Sequence, residues 1–329
     1  MIISRTPFRI SFFGGGTDYP QWYKKNKGSV ISTTINKFSY INVRYLPPFF
    51  KYKYCIRYFK REEKENINQI EHPSVRETFK YFKINEGIEM VHNADLPALS
   101  GLGSSSTFTV GLVKAISALN GKMLTKKELA NYAIEIEQNK IKENVGSQDQ
   151  TAAAFGGLNR IDFMGSKTSF VVNPIILDKS YEKKFEENLI LIFTGQSRRG
   201  ELIAKDQISK IKDKIDQYKK MYDLVNEADY ILKNRKNLDG LGELLNFQWK
   251  LKKTFSDKIT NPEIDKIYSM AIKAGAIGGK LLGAGNGGFM LFYARKKDHK
   301  KIINRLKEYL HVPFYFDNTG CQIVYYSKY

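Results

Sequence analysis

Apolar residues recur along this chain at two spacings, and the spacings divide it into helices and strands. Phe108, Leu112, Ala115, Ile116 and Leu119 follow one another at three- and four-residue steps, one face of a helix that Gly121 ends. Just ahead stand Gly101 and Gly103 around Leu102, then Ser104, Ser105 and Ser106, so a glycine-rich turn delivers the chain into a helix amino terminus. Alternation predicts strands at residues 29–34 and 38–45, joined by a turn at Asn36 and Lys37. Residues 2–13 read as a strand interrupted at Pro7, and 52–59 and 87–92 as further strands with a helix over 74–85 between them. Thr125 and Glu128 form a capping box ahead of a helix that carries Leu129, Tyr132 and Ile136 toward Lys140. Ala152, Ala153 and Ala154 mark a closely packed helix stopped by Gly156 and Gly157, and strands follow at 158–163 and 169–172.

Residues 174–187 are charged and lack a period, so the domain boundary falls there. Beyond it come an apolar strand at 189–193 and helical stretches at 199–233 and 238–253. Asn261 and Pro262 open another helix, and Gly275 is its natural left-handed stop. A glycine-rich segment at 278–288, a strand at 289–294, a helix at 299–310 and a strand at 322–326 complete the chain. The fold class is α+β, in two domains, 1–180 and 181–329.

Composition narrows the function. A chain of 329 residues with 42% hydrophobic and 13% aromatic content is globular. A formal charge of +19 raises nucleic acid as a partner, but the positive residues are dispersed among acids, as at 181–187 and 205–220. No specific nucleic acid is expected. Cys55 and Cys321 lie far apart, and His72, His92, His299 and His311 show no ligand spacing, which argues against a disulfide or a zinc site. No stretch approaches the roughly 20 apolar residues of a membrane helix, and the first residues do not resemble a signal peptide. The expectation is a cytoplasmic protein with no membrane partner.

The turn at 101–106 has the chemistry of a phosphate cradle. The first amide donors of a helix lack intrahelical partners, and glycine lets the backbone approach an anion. A plain capped helix after a loop fits the same residues. Gly283, Gly285 and Gly288 spell a dinucleotide fingerprint, but a strand follows where a helix should begin, so that reading is rejected. Nothing fits the P-loop pattern.

Three glycine-rich segments stand in order: SFFGGGTDYP at 11–20, SGLGSSST at 100–107 and KLLGAGNGGFM at 280–290. Together they resemble the three motifs of the GHMP kinases, a family that includes galactokinase, homoserine kinase and mevalonate kinase. The resemblance spans nearly the whole chain. Segment 11–20 and GSQDQ at 146–150 look most like the family's bacterial D-glycero-D-manno-heptose 7-phosphate kinases. The resemblance implies a ribosomal-protein-like amino-terminal domain and a ferredoxin-like carboxy-terminal one. It implies ATP and Mg2+ as cofactors, and transfer of phosphate to the anomeric (C1) hydroxyl of the heptose 7-phosphate for surface-glycan synthesis. Carried over by position, Gly101, Leu102, Gly103, Ser104, Ser105 and Ser106 wrap the nucleotide phosphates, and Ser105 and Glu137 hold magnesium. Asp149 takes the acceptor proton and Arg9 stands beside the reacting oxygen. Asp18, with Gly15, Gly16, Thr17 and Gly285, falls in the substrate-binding set.

One departure bears on the sugar. Where galactokinases carry a glutamate and a histidine before Thr-Asp-Tyr, this chain has Gly15 and Gly16. The freed space puts galactose in doubt and fits a heptose. A 7-phosphate also needs cations, for which Arg198 and Arg199 are the candidates. Other readings are a fucokinase-like or mevalonate-kinase-like enzyme, a noncatalytic relative, and a nucleic-acid binder. Glu137 and Asp149 speak against the last, because phosphate-backbone binding gains nothing from acids. A homodimer stays open.

Overall fold

Residues 1–165, 169–195 and 200–327 are described by a computed structural model. The chain runs β1 (Ile2–Phe13), α1 (Pro20–Tyr23), β2 (Gly28–Tyr45), β3 (Tyr54–Arg57), β4 (Arg61–Lys64), α2 (Pro73–Tyr81) and β5 (Ile88–Ala94). Next come α3 (Ser104–Leu119), α4 (Lys126–Glu135), α5 (Gln148–Phe155), β6 (Asn159–Phe163), β7 (Phe170–Pro174), α6 (Lys179–Glu187) and β8 (Leu189–Phe193). The remainder is α7 (Gly200–Ser209), α8 (Ile215–Lys233), α9 (Asp239–Lys253), α10 (Pro262–Ala274), β9 (Gly278–Leu281), β10 (Phe289–Tyr293), α11 (His299–Arg305), β11 (Leu310–His311), β12 (Phe316–Asp317) and β13 (Gln322–Tyr326).

Among the described residues two sheets form. The first has nine strands, ordered β13-β1-β2-β5-β3-β4, with β6 and β12 also on β2 and β7 on β6. The second has four antiparallel strands in the order β11-β8-β10-β9. Its connectivity is the β-α-β-β-α-β arrangement of a ferredoxin-like unit, with α7 to α10 in the first crossover. β12 and β13 lie beyond residue 181 yet rejoin the first sheet, β12 on β2 and β13 on β1, whose edge it covers. The cut expected at 180/181 therefore does not divide the strands between the sheets.

Local expectations hold where the signal is local. The capping box at Thr125 and Glu128 forms, Asn261 Oδ1 accepts from the Ile264 amide, and Gly275 is left-handed at φ 118°. Three others change. β1 runs through Pro7 unbroken, because β13 pairs only as far as Arg5 and the missing N–H costs no ladder bond there. No turn forms at Asn36 and Lys37; β2 is one strand with a register shift there, and Asn36 exchanges hydrogen bonds with Tyr315. Residues 174–187, read as a charged boundary without a period, contain α6, capped by Asp178 and with Phe185 as its fully buried residue.

The two units meet through an aromatic stack and a set of polar ties. Tyr218 of α8 stacks on Trp22 of α1 at 5.0 Å and on Phe255 at 4.5 Å. Gln248 of α9 donates to the Phe12 carbonyl at 2.6 Å and accepts from the Gly14 amide at 3.0 Å. These contacts fix the end of β1 where the first glycine-rich turn begins. No helix among the described residues is long and apolar enough to cross a membrane.

Candidate active site

The central and third glycine-rich segments pack backbone against backbone. A Cβ on Gly101 would lie 2.6 Å from the Leu282 carbonyl oxygen, and one on Gly283 would lie 2.6 Å from Gly101 Cα. Both residues are left-handed, with φ of 81° and 73°, so the contact demands glycine twice over. The Phe289 amide donates to the Ser100 carbonyl at 3.2 Å and stitches the segments together. α3 starts in this junction with Gly103 as its cap, which offers no side chain to the first-turn amides of Ser104, Ser105 and Ser106. Those residues line a cleft of about 480 Å³, of a size that suits a small-molecule ligand. Leu102 does not join them. Its side chain is buried in the core, and its carbonyl accepts from the Arg9 amide at 3.2 Å, so it anchors the turn.

Arg9 enters the cleft from β1 and forms a fork with Asp149 on α5. Its Nε donates to Oδ1 at 2.8 Å and its Nη2 to Oδ2 at 2.7 Å, while Nη1 donates to the Gly101 carbonyl at 2.8 Å. Arg9 is thus committed to the aspartate and the turn. Asp18 lies nearby, its Oδ1 accepting from the Gly16 amide at 2.9 Å. Burial and then the charge of Asp149 push the Asp18 carboxyl up to about 6.

The substrate set divides. Gly15, Gly16, Asp18 and Gly285 line the cleft. Thr17 is fully buried, and its hydroxyl donates to the Gly14 and Ser29 carbonyls, so it staples the turn and is not presented to a ligand. A Cβ on Gly15 would meet nothing closer than 3.9 Å, consistent with free room. Gly16 is set by its backbone instead, with φ 102° and the Tyr218 ring 3.4 Å from where a Cβ would stand. Arg198 and Arg199 lie outside the described residues.

Glu137 sits across the mouth of α3, on a wide π turn (Ile136–Ile141) that continues α4. It is fully buried; its Oε2 accepts from Ser106 Oγ at 2.8 Å and from the Gln150 amide, while its Oε1 has no partner among the described residues. The serine beside Glu137 is therefore Ser106, and Ser105, expected in that place, is exposed at the cleft. Burial first, then Glu143, push the Glu137 carboxyl up to about 8. An orphaned carboxylate oxygen at a helix amino terminus fits a divalent cation that shares its remaining ligands with phosphates and waters.

Two lysines of the carboxy-terminal unit complete the walls. Lys280 on β9 donates to the Ser11 and Phe12 carbonyls at 2.8 and 3.0 Å. Lys252 on α9 donates to the Gly283 carbonyl. Burial lowers both, Lys252 to about 8.

Family models match two parts of the chain, the GHMP kinases N terminal domain over residues 70–157 and the GHMP kinases C terminal domain over 228–312. Over 93% of both chains it is 30% identical to a D-glycero-alpha-D-manno-heptose 7-phosphate kinase of Campylobacter jejuni. This chain belongs to the GHMP kinases. Among solved structures, a D-glycero-D-manno-heptose 1-phosphate kinase from Bacteroides thetaiotaomicron shares the fold at TM-score 0.81 and 22% identity, over 99% of this chain and 100% of that one. A galactokinase from Lactococcus lactis shares it at TM-score 0.74 and 18% identity, over 98% and 94%. The protein is a kinase of this family, and the acceptor named for the C. jejuni relative is that protein's.

The motifs of this GHMP kinase do not by themselves single out Lys252, Lys280, Gln150 or the part played by Ser106. Lys252 does leave a signal. With Leu241, Leu245, Gln248 and Trp249 it lies on the buried face of α9, where a lysine has no packing reason to be.

Proposed function

We propose that this kinase transfers the γ-phosphoryl of ATP to the anomeric hydroxyl of D-glycero-D-manno-heptose 7-phosphate, giving the 1,7-bisphosphate for nucleotide-activated heptose and surface-glycan synthesis in the cytoplasm. The observation that carries the transfer chemistry is the Arg9–Asp149 fork at the cleft beside the amino terminus of α3. The acceptor is that of the C. jejuni relative, and the free room at Gly15 supports it.

Phosphoryl transfer depends mainly on positioning and on stabilising charge. The first-turn amides of Ser104, Ser105 and Ser106 and the hydroxyl of Ser105 bind the nucleotide phosphates. Asp149 orients the acceptor hydroxyl and takes its proton, with Arg9 fixing the carboxylate plane. Asp18 accepts from sugar hydroxyls. Ser106 and Glu137, with Ser105 at the cleft, would hold Mg2+, which supplies charge neutralisation for the phosphates when bound.

The purified enzyme is tested with ATP, magnesium and a panel of heptose 7-phosphate, heptose 1-phosphate, fucose, galactose and mevalonate. ADP release with heptose 7-phosphate, and a phosphorus–anomeric-proton coupling in the product NMR spectrum, are expected. Turnover of another acceptor in preference overturns the heptose assignment.

A further inference from the structure

Among the described residues three cations stand in the walls of this cleft, and they are engaged to different degrees. Arg9 is bound to Asp149 and to Gly101, and Lys280 to two carbonyls of β1. Lys252 is 7% exposed and lines the cleft, yet only one of its three N–H donors is used, on the Gly283 carbonyl. The other two have no protein partner among the described residues. Gly283 is the residue that abuts Gly101, so this ammonium stands at the junction of the phosphate turn with the third glycine-rich segment. Unsatisfied donors on a buried cation are costly, and a ligand anion is what would offset them.

We propose that the Lys252 ammonium binds the transferring phosphoryl group, as the cation that the carboxy-terminal unit adds to the transfer centre. The proposal rests on the kinase reading above but not on the identity of the sugar. In the transfer, the acceptor oxygen bonds to the γ-phosphorus and the bond to the β,γ-bridging oxygen breaks, its electron pair leaving with ADP. The acceptor proton passes to Asp149. Lys252 keeps its own proton and directs its two free N–H groups at phosphoryl oxygens. Four charged groups face it: Arg9 on β1, Asp18 in the first glycine turn, Asp149 on α5 and Lys280 on β9. Burial and Arg9 lower the ammonium while the two aspartates oppose them, so it is charged at neutral pH and gives up its proton near pH 8 in the free enzyme.

Lys252→Met and Lys252→Arg test this in two ways. The first readout is affinity for Mg-ADP with and without aluminium fluoride, whose planar anion stands in for the moving phosphoryl. Lys252→Met is expected to lose most of the tightening that fluoride brings, by about 10²- to 10³-fold, the scale for removing one donor from a developing charge. Binding of Mg-ADP alone stays nearly unchanged. The second readout is turnover of whichever acceptor the wild type uses. Lys252→Met lowers kcat on the same scale with the sugar KM nearly unchanged, and Lys252→Arg restores part of it. The fall of kcat/KM above about pH 8 in the wild type moves to higher pH in Lys252→Arg, which also serves as the folded variant should the methionine protein not fold. Undiminished fluoride tightening in Lys252→Met overturns the proposal. So does a rise in sugar KM alone, which would put the lysine on the acceptor's own phosphate, or an equal loss of plain Mg-ADP binding. The fluoride arm needs no sugar, so a wild type that rejects heptose 7-phosphate overturns the acceptor assignment and leaves this one standing.

Discussion

Asp149 lines the cleft and Glu137 is buried beside Ser106 in the first turn of α3, and among the described residues only the first is paired with a cation. Both oxygens of Asp149 lie on the Arg9 guanidinium, a planar pair matched to a planar pair. Among the described residues Glu137 has neutral donors on one oxygen and no hydrogen bond on the other, in full burial. A carboxylate paired at home can exchange a proton with a substrate without waiting for any other group. One buried without a cation is driven to hold its proton until a positive charge arrives. The contrast is the one on which the proposed roles rest, Asp149 as proton acceptor and Glu137 as metal ligand.

The largest effect expected breaks the first side. Asp149→Asn keeps the shape and one acceptor for Arg9 but cannot take a proton. Single-turnover rates should fall by about 10²- to 10⁴-fold with ATP affinity nearly unchanged. Near-normal turnover would leave catalysis to positioning and to the cations. On the other side, Glu137→Gln should cost about 10- to 100-fold in turnover and raise the magnesium requirement. The amide still accepts from Ser106 and Gln150, so the fold is kept. Without magnesium the variant should melt no lower than the wild type, because it loses a buried carboxyl that has no cation. An unaltered magnesium dependence would remove Glu137 from the metal.

Signals that fit within one turn of helix are legible in the sequence. The apolar steps of α3, the Thr125–Glu128 box and the Asn261 cap are of this kind, and they form as expected. Asn36 and Lys37 look like a turn because what keeps β2 straight there is a bond to Tyr315, far along the chain. α6 offers little period to read because its one fully buried residue is Phe185, with Tyr181 half-buried against the core beside it. At the site, residue types are legible and their facing is not. Three successive serines open α3, and only the rotation of that helix against the π turn decides that Ser106 meets Glu137. Thr17 falls within a motif yet serves the turn, since its hydroxyl is claimed by Ser29 on the neighbouring strand.

Asp18 sharpens the comparison, because it lies between the two extremes. It is buried like Glu137 and has no cation partner among the described residues, but a backbone amide holds each oxygen, Gly16 at 2.9 Å and Gln148 at 3.4 Å. Burial and the neighbouring Asp149 raise it from 3.8 to about 6. Below 3.8 the group is protonated whether the chain is folded or not, and it makes no pH-dependent contribution. As pH rises from there toward 6, the unfolded chain loses the proton while the folded one keeps it. Stability therefore falls in that window, by at most about 1.4 kcal/mol per pH unit, and above it the penalty is constant. Asp18→Asn lacks this titration and still accepts from Gly16. Its melting temperature should gain on the wild type between about pH 4 and 6 and run parallel above, since the contributions of Glu137, Lys252 and Lys280 are common to both proteins. A gap that does not change across the window would mean that the folded protein carries Asp18 ionised from the start. The amide donors would then outweigh burial, and Asp18 would stand with Asp149.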